Sequence, residues 1–199
     1  SDVASTSADL DGDGLDEAIF VMPAGEQQLQ CGIVTVGTIA TGSDAVAERD
    51  PVLFDDSCTD PAVFPVDADG DTFVDLAVLT GRTNDADRKL YLFWNDGSGL
   101  FSNSDVTLIS RPEDSPQAFA VLPGSKEQPL AFVYVTTTDL RRAMATGSAR
   151  VFTDPIALTD SFTGGTGVTA ADVNGDRVKD IVLAQSGKLS VLKAQLVGQ

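Results

Sequence analysis

Asp9, Asp11, Asp13 and Glu17 occupy positions 1, 3, 5 and 9 of the stretch Asp9-Leu-Asp11-Gly-Asp13-Gly-Leu-Asp-Glu17. The pattern returns as Asp67-Ala-Asp69-Gly-Asp71-Thr-Phe-Val-Asp75 and as Asp172-Val-Asn174-Gly-Asp176-Arg-Val-Lys-Asp180. Alternate spacing lets three short oxygen-bearing side chains converge on one point, and glycine at position 4 permits the bend this requires. Calcium suits such a set, since it takes about six to eight hard oxygen ligands in flexible geometry, whereas magnesium demands a stricter octahedron and keeps more water. The backbone carbonyl at position 7 (Leu15, Phe73 or Val178) would add a ligand, and the acid at position 9 would close each site. Three calcium ions are therefore expected. Asn174, Arg177 and Lys179 weaken the field of the third loop, which is expected to bind least tightly. The plainer alternative is an acidic turn held by Asx hydrogen bonds without metal. Against it stands the mutual repulsion of four crowded carboxylates.

The elements that hold these loops read as strands. Each loop runs straight into an apolar stretch: Ala18-Ile-Phe-Val-Met22, Leu76-Ala-Val-Leu79 and Ile181-Val-Leu-Ala184. Strand-forming runs precede the loops at 3–8, 62–66 and 167–171, and strands rather than helices on both sides argue against an EF-hand, whose loop runs about twelve residues between helices. Further strands are expected at 29–36, 52–54, 89–94, 101–110 and 189–192. Asp96-Gly97 between two such runs is a hairpin signal. Helical propensity is confined to 44–49 and 138–145, neither with a sustained apolar stripe.

A fourth unit lacks the acids. Residues 117–122 and 130–135 keep the order of strand, connection, strand, and Leu122, Gly124 and Lys126 are aligned with the ligand positions, so no cation is expected there. With Leu122 as the third loop start, the loops begin 58, 55 and 50 residues apart. A period near 50 residues built of short strands is the signature of propeller blades. Runs apolar on both faces fit strands sandwiched between stacked sheets. The expected fold is all-β: one β-propeller domain over 1–199, with about four blades of four antiparallel strands in units of roughly 1–58, 59–113, 114–163 and 164–199. It either closes within this chain or forms part of a larger propeller, since the last unit ends after its third strand.

The three loops, with Asn95-Asp-Gly-Ser-Gly-Leu-Phe101 closing the second unit, resemble the FG-GAP/VCBS repeats of integrin α-chain-type β-propellers. The resemblance implies that each loop joins the two innermost strands of a blade and holds one structural calcium. It also implies an extracellular module, secreted or on a cell surface, working in adhesion, ligand binding or scaffolding. The chain departs from that pattern in having about four units rather than seven blades, in Thr72 and Arg177 at position 6, and in Glu17 at position 9.

Composition narrows the alternatives. The 199 residues carry a formal charge of −17 and no histidine. Such a surface repels nucleic acid and anionic membranes, and histidine-based catalysis is excluded. No apolar run reaches the roughly 20 residues of a membrane helix, so membrane insertion is not expected. Eleven of the 30 acids stand at loop ligand positions, and three divalent cations at two charges each would bring −17 to −11. Cys31 and Cys58 lack metal-site spacing; in an oxidising compartment they pair in one bridge, and otherwise they are two buried thiols. Catalysis is not expected. The partner is an extracellular protein or a glycan, with a lectin-like propeller or an accessory domain of a secreted enzyme as alternative functions. A homodimer, or completion by another chain, remains open. Trp94 could serve a sugar site, though packing between blades is the favoured reading. Arg141-Arg142 reads as a small solvated basic spot.

Overall fold

The computed structural model describes residues 3–24, 30–38, 46–48, 51–55, 58–81, 88–124, 129–148, 150–159, 165–185 and 187–193. The described residues form strands and connections, without helix. The chain divides into two compact units, Ser1–Leu108 and Ile109–Gln199, each holding two antiparallel sheets.

In the first unit, β1 (Ala4–Ala8), β2 (Glu17–Ala24), β3 (Gln30–Thr38), β4 (Val46–Glu48) and β5 (Val52–Asp55) make the first sheet. Its outer edge is shared: β4 pairs with Val36–Thr38 of β3, and β5 with Cys31–Ile33. The second sheet runs β6 (Ala62–Val66), β7 (Asp75–Thr80), β8 (Lys89–Phe93) and β9 (Val106–Leu108) in order. Cys31 on β3 is bonded to Cys58 in the segment leading to β6, 27 residues away in sequence. Ile19, Val21 and Ile33 of the first sheet share one apolar core with Leu76, Val78 and Phe93 of the second.

The second unit repeats the plan. Its sheets are β10 (Ala118–Leu122), β11 (Ala131–Val135), β12 (Leu140–Met144) and β13 (Ile156–Thr159), then β14 (Gly165–Ala171), β15 (Asp180–Gln185) and β16 (Lys188–Leu192). Val133, Val135 and Leu140 pack with Ile181 and Leu183. Every residue of β7 and of β11 is buried, whereas β2 alternates buried with half-buried. Two-sided burial is what the unbroken apolar runs of these strands require.

The pairing of first and second strands sets a common register. Ala8 faces Glu17, Val66 faces Asp75, Leu122 faces Ala131 and Ala171 faces Asp180. This corrects the alignment of the acid-free unit by one residue, because Leu122 is the counterpart of Ala8 and not of Asp9. Positions 1 and 9 of that connection are Pro123 and Ala131, so its two anchoring carboxylates are missing; residues 125–128 lie outside the described residues.

Three expectations change. Residues 140–144 form strand β12 rather than a helical turn: Leu-Arg-Arg-Ala-Met favours helix locally, but pairing on both sides, with β11 and β13, decides. The helical signal at 44–49 falls partly outside the described residues, and its described part is strand β4. The run 101–110 is strand only over β9, because a long connection replaces the short Asp-Gly hairpin turn. In that connection Asn95 Oδ1 accepts hydrogen bonds from the Gly97 and Gly99 amides at 3.0 and 3.2 Å, and pairing resumes with the Trp94 amide on the Asp105 carbonyl.

Candidate metal centre

All three acidic loops fold on one hydrogen-bond frame. The position-1 aspartate accepts two backbone amides: Gly12 and Gly14 for Asp9, Gly70 and Thr72 for Asp67, Gly175 and Arg177 for Asp172. Positions 3 and 5 each accept the amide two residues on. Thus Asp11 takes Asp13, Asp13 takes Leu15, Asp69 takes Asp71, Asp71 takes Phe73, Asn174 takes Asp176 and Asp176 takes Val178. These Asx bonds aim the side chains of positions 1, 3 and 5 inward around the turn.

The frame needs left-handed backbone at two places. Gly12, Gly70 and Gly175 at position 4 have φ of +76°, +82° and +80°. Position 6 is the same, with Gly14 at +89° but Thr72 at +79° and Arg177 at +68°. A β-branched residue in this region is strained, so the second loop holds its shape against the preference of its own threonine.

In the first two loops the geometry converges on a cation site. Carboxylate oxygens of Asp9, Asp11 and Asp13 lie within 4.8 Å of one another, as do those of Asp67, Asp69 and Asp71. The third loop has two acids and an amide in these places, and the Asn174 amide nitrogen donates to Asp176 Oδ2 at 2.8 Å. The Arg177 amide is the first cause holding the Asp172 carboxyl below its ordinary range.

Position 9 lies behind the loop. Glu17 is 2% exposed, and Asp75 and Asp180 are 0% exposed. Each accepts the amide of position 2: Leu10 to Glu17 Oε2 at 2.8 Å, Ala68 to Asp75 Oδ2 at 2.9 Å and Val173 to Asp180 Oδ2 at 3.2 Å. Burial pushes Asp75 up to about 7, against the lowering effect of amides from Asn95 and Ala68, and the charges of Asp69 and Asp71 add to the rise. Glu17 is raised for the same first reason, with Asp11, Asp13 and Asp9 adding to it. Hard oxygen donors at this spacing fit a hard metal cation, which positions 1, 3 and 5 of the first two loops would hold.

Two residues stand out only in three dimensions. Asn95 is fully buried and joins the two sheets of its unit. Its Nδ2 donates to the Leu10 carbonyl in the first loop at 2.7 Å and to the Val74 carbonyl at 3.2 Å, while its amide donates to Asp75 Oδ1 at 2.9 Å. Its partner Leu10 lies 85 residues away, so no local signal reveals this role. Phe73, chosen at position 7 for its carbonyl, also packs its ring against Gly97, where a Cβ would run into it. The other position-7 side chains differ: Leu15 is exposed and Val178 half-buried.

Trp94 is buried, with Nε1 donating to Thr107 Oγ1 at 2.9 Å, so its ring is packing and not a sugar platform. Arg141 is not a solvated basic spot. It pairs with Asp139 at 2.9 Å and with buried Asp114 at 3.5 Å, and Asp114 also accepts the Tyr134 hydroxyl at 2.6 Å. No protein-family model matches the sequence, and no curated protein matches it either.

Proposed function

We propose that this chain is a calcium-stabilised β-propeller, or a segment of one, of the FG-GAP/VCBS type. In this reading it works outside the cell as a binding or scaffold module, without catalysis. The observation that carries the metal reading is the pair of aspartate triads, each within 4.8 Å and each built on the same hydrogen-bond frame. Support for the propeller comes from four sheets in repeat order, with face-to-face cores joining neighbouring sheets inside each unit. Calcium in this reading is structural. It neutralises acids that close strand packing would otherwise crowd together, and so stabilises the folded state by mass action. Recognition of a protein or glycan partner falls to the connections and not to the metal loops.

Calorimetric titration of chelator-treated protein, with melting curves alongside, tests the metal reading. Calcium should bind to the loops of Asp9 and Asp67 first and to that of Asp172 last, raising the melting temperature. Asp71→Asn should remove one of the stronger sites. A melting curve unmoved by either calcium or exhaustive chelation would overturn the proposal.

A further inference from the structure

The third acidic loop carries an amide where the first two carry an acid, and that amide stands in the single Asn-Gly step of the sequence, Asn174-Gly175. Side-chain amides are among the chemically labile groups of a protein. Glycine leaves the next backbone nitrogen unshielded, since it has no Cβ. Residues 173–177 are exposed, so water reaches the step. Gly175 has φ of +80°, a conformation that glycine adopts freely.

The hydrogen bonds around the step favour attack of the Gly175 nitrogen on the Asn174 side-chain carbonyl. The Gly175 amide donates to Asp172 Oδ1 at 2.7 Å, so a carboxylate already faces the proton that must leave. Asn174 Oδ1 accepts the Asp176 amide at 2.9 Å, a donor aimed where negative charge develops as Cγ becomes tetrahedral. The same bond folds the side chain back along the turn that contains Gly175. The other described asparagines lack this arrangement. Asn95 is fully buried, precedes aspartate, and engages both side-chain polar atoms in hydrogen bonds. Asn103 precedes serine, and its Nδ2 donates to the Leu53 carbonyl at 3.3 Å.

We propose that Asn174 is a site of spontaneous deamidation in the folded chain. The Gly175 nitrogen gives up its proton and bonds to Asn174 Cγ. The Cγ–Nδ2 bond breaks, and Nδ2 leaves as ammonia with that proton, giving a cyclic succinimide. Water then opens the ring, and no electrons are gained or lost. Cleavage between the Gly175 nitrogen and Cγ yields aspartate. Cleavage between that nitrogen and the main-chain carbonyl carbon of residue 174 yields isoaspartate, with an extra carbon in the backbone. Aspartate at 174 gives the third loop carboxylates at positions 1, 3 and 5, as in the first two, and replaces the Asn174 Nδ2 bond to Asp176 Oδ2 by repulsion. The proposal rests on the surroundings of this amide and not on the calcium reading.

Incubation of the full chain at neutral pH, with peptide mapping by mass spectrometry at intervals, tests the proposal. The peptide holding residue 174 should gain about 1 Da, an amide NH2 having become a hydroxyl, and should split into two products. One product should co-elute with the same peptide from Asn174→Asp. The other should accept a methyl group from an isoaspartyl methyltransferase. Asn174→Gln, whose ring closure needs one more carbon, should stay unmodified, and so should Asn95 and Asn103 over the same period. A sample held unfolded in guanidinium gives the rate without the loop, and the folded chain should react within about tenfold of it. Conversion of Asn174 confined to the unfolded sample, or conversion of Asn103 as fast as Asn174 in the folded chain, would overturn the proposal.

Discussion

Gly37→Ala should be strongly destabilising in a way that shortening Glu17 relieves. Gly37 lies on β3, and its φ is outside the left-handed region, so the backbone accepts alanine. The obstacle is the glutamate. A Cβ at Gly37 would stand 2.6 Å from Glu17 Cγ and 3.0 Å from its Oε1. Glu17 is almost wholly buried and holds the Leu10 amide, so it has nowhere to retreat without giving up that bond. Overpacking costs about 1–3 kcal/mol, and a buried amide left without its acceptor about 1–3 kcal/mol more. We expect about 3 kcal/mol in all. Register explains why glycine stands here: the corresponding residues beside Asp75 and Asp180 are Trp94 and Lys193, and only the longer acid needs the space. Glu17→Asp alone should cost about 1–2 kcal/mol through a methylene-sized void and a stretched bond. In the double variant the alanine methyl fills that void while the aspartate holds the amide as Asp75 does. The double variant should therefore be more stable than the sum of the single effects by at least about 1.5 kcal/mol. Urea unfolding in excess calcium, followed by the fluorescence of the single buried Trp94, reads this unit directly. Additivity within about 0.5 kcal/mol would show that the two residues do not compete for space.

Thr72→Gly removes a β-branched residue from φ of +79° and should stabilise the protein by about 1 kcal/mol, read as a higher urea midpoint at unchanged slope. In chelator, Asp75 keeps its proton up to about pH 7, whereas in the unfolded chain it loses it near its ordinary 3.8. Between those values the folded state binds the extra proton, so stability falls as pH rises. Glu17 acts in the same direction. The melting temperature in chelator should drop from about pH 5 to about pH 8, and calcium should restore it most at the alkaline end, where the ion meets no competing proton; a rise in chelator over that range would refute the assignment. Reducing the Cys31–Cys58 bridge, or replacing Cys58 by serine, frees a 27-residue separation and should cost about 3 kcal/mol, measured by denaturant unfolding with and without reductant.

What the sequence made legible is local. Short apolar runs abutting acidic loops identify β2, β6, β7 and β15 to within a residue or two, because composition changes abruptly there. Strand β12 was hidden, since residues that favour helix in isolation are held extended by neighbours on both sides. The one-residue shift at Leu122 was hidden too, because without acids nothing in that connection marks its register until β10 meets β11. The buried bracket at position 9 and the bonds of Asn95 depend on amides brought together by folding. Spacing can nominate such residues as ligands, but it cannot reveal that Glu17, Asp75 and Asp180 also hold the loop from behind.

The shared frame separates two things that the motif combines. The loops differ at position 6, where glycine, threonine and arginine stand, and at position 3, where one has asparagine, yet the bonds from positions 1, 3 and 5 recur in all three. Loop shape therefore follows the position-1 aspartate and the residue spacing, which the three loops share. What the frame leaves unbalanced is charge: triads within 4.8 Å and, behind one of them, an acid driven up to about 7 by burial. This also explains how a repeat can lose its acids and keep its strands. With Pro123 and Ala131 at the ends of its connection, the third unit lacks the two anchoring carboxylates, and Leu122 still pairs with Ala131 in the common register.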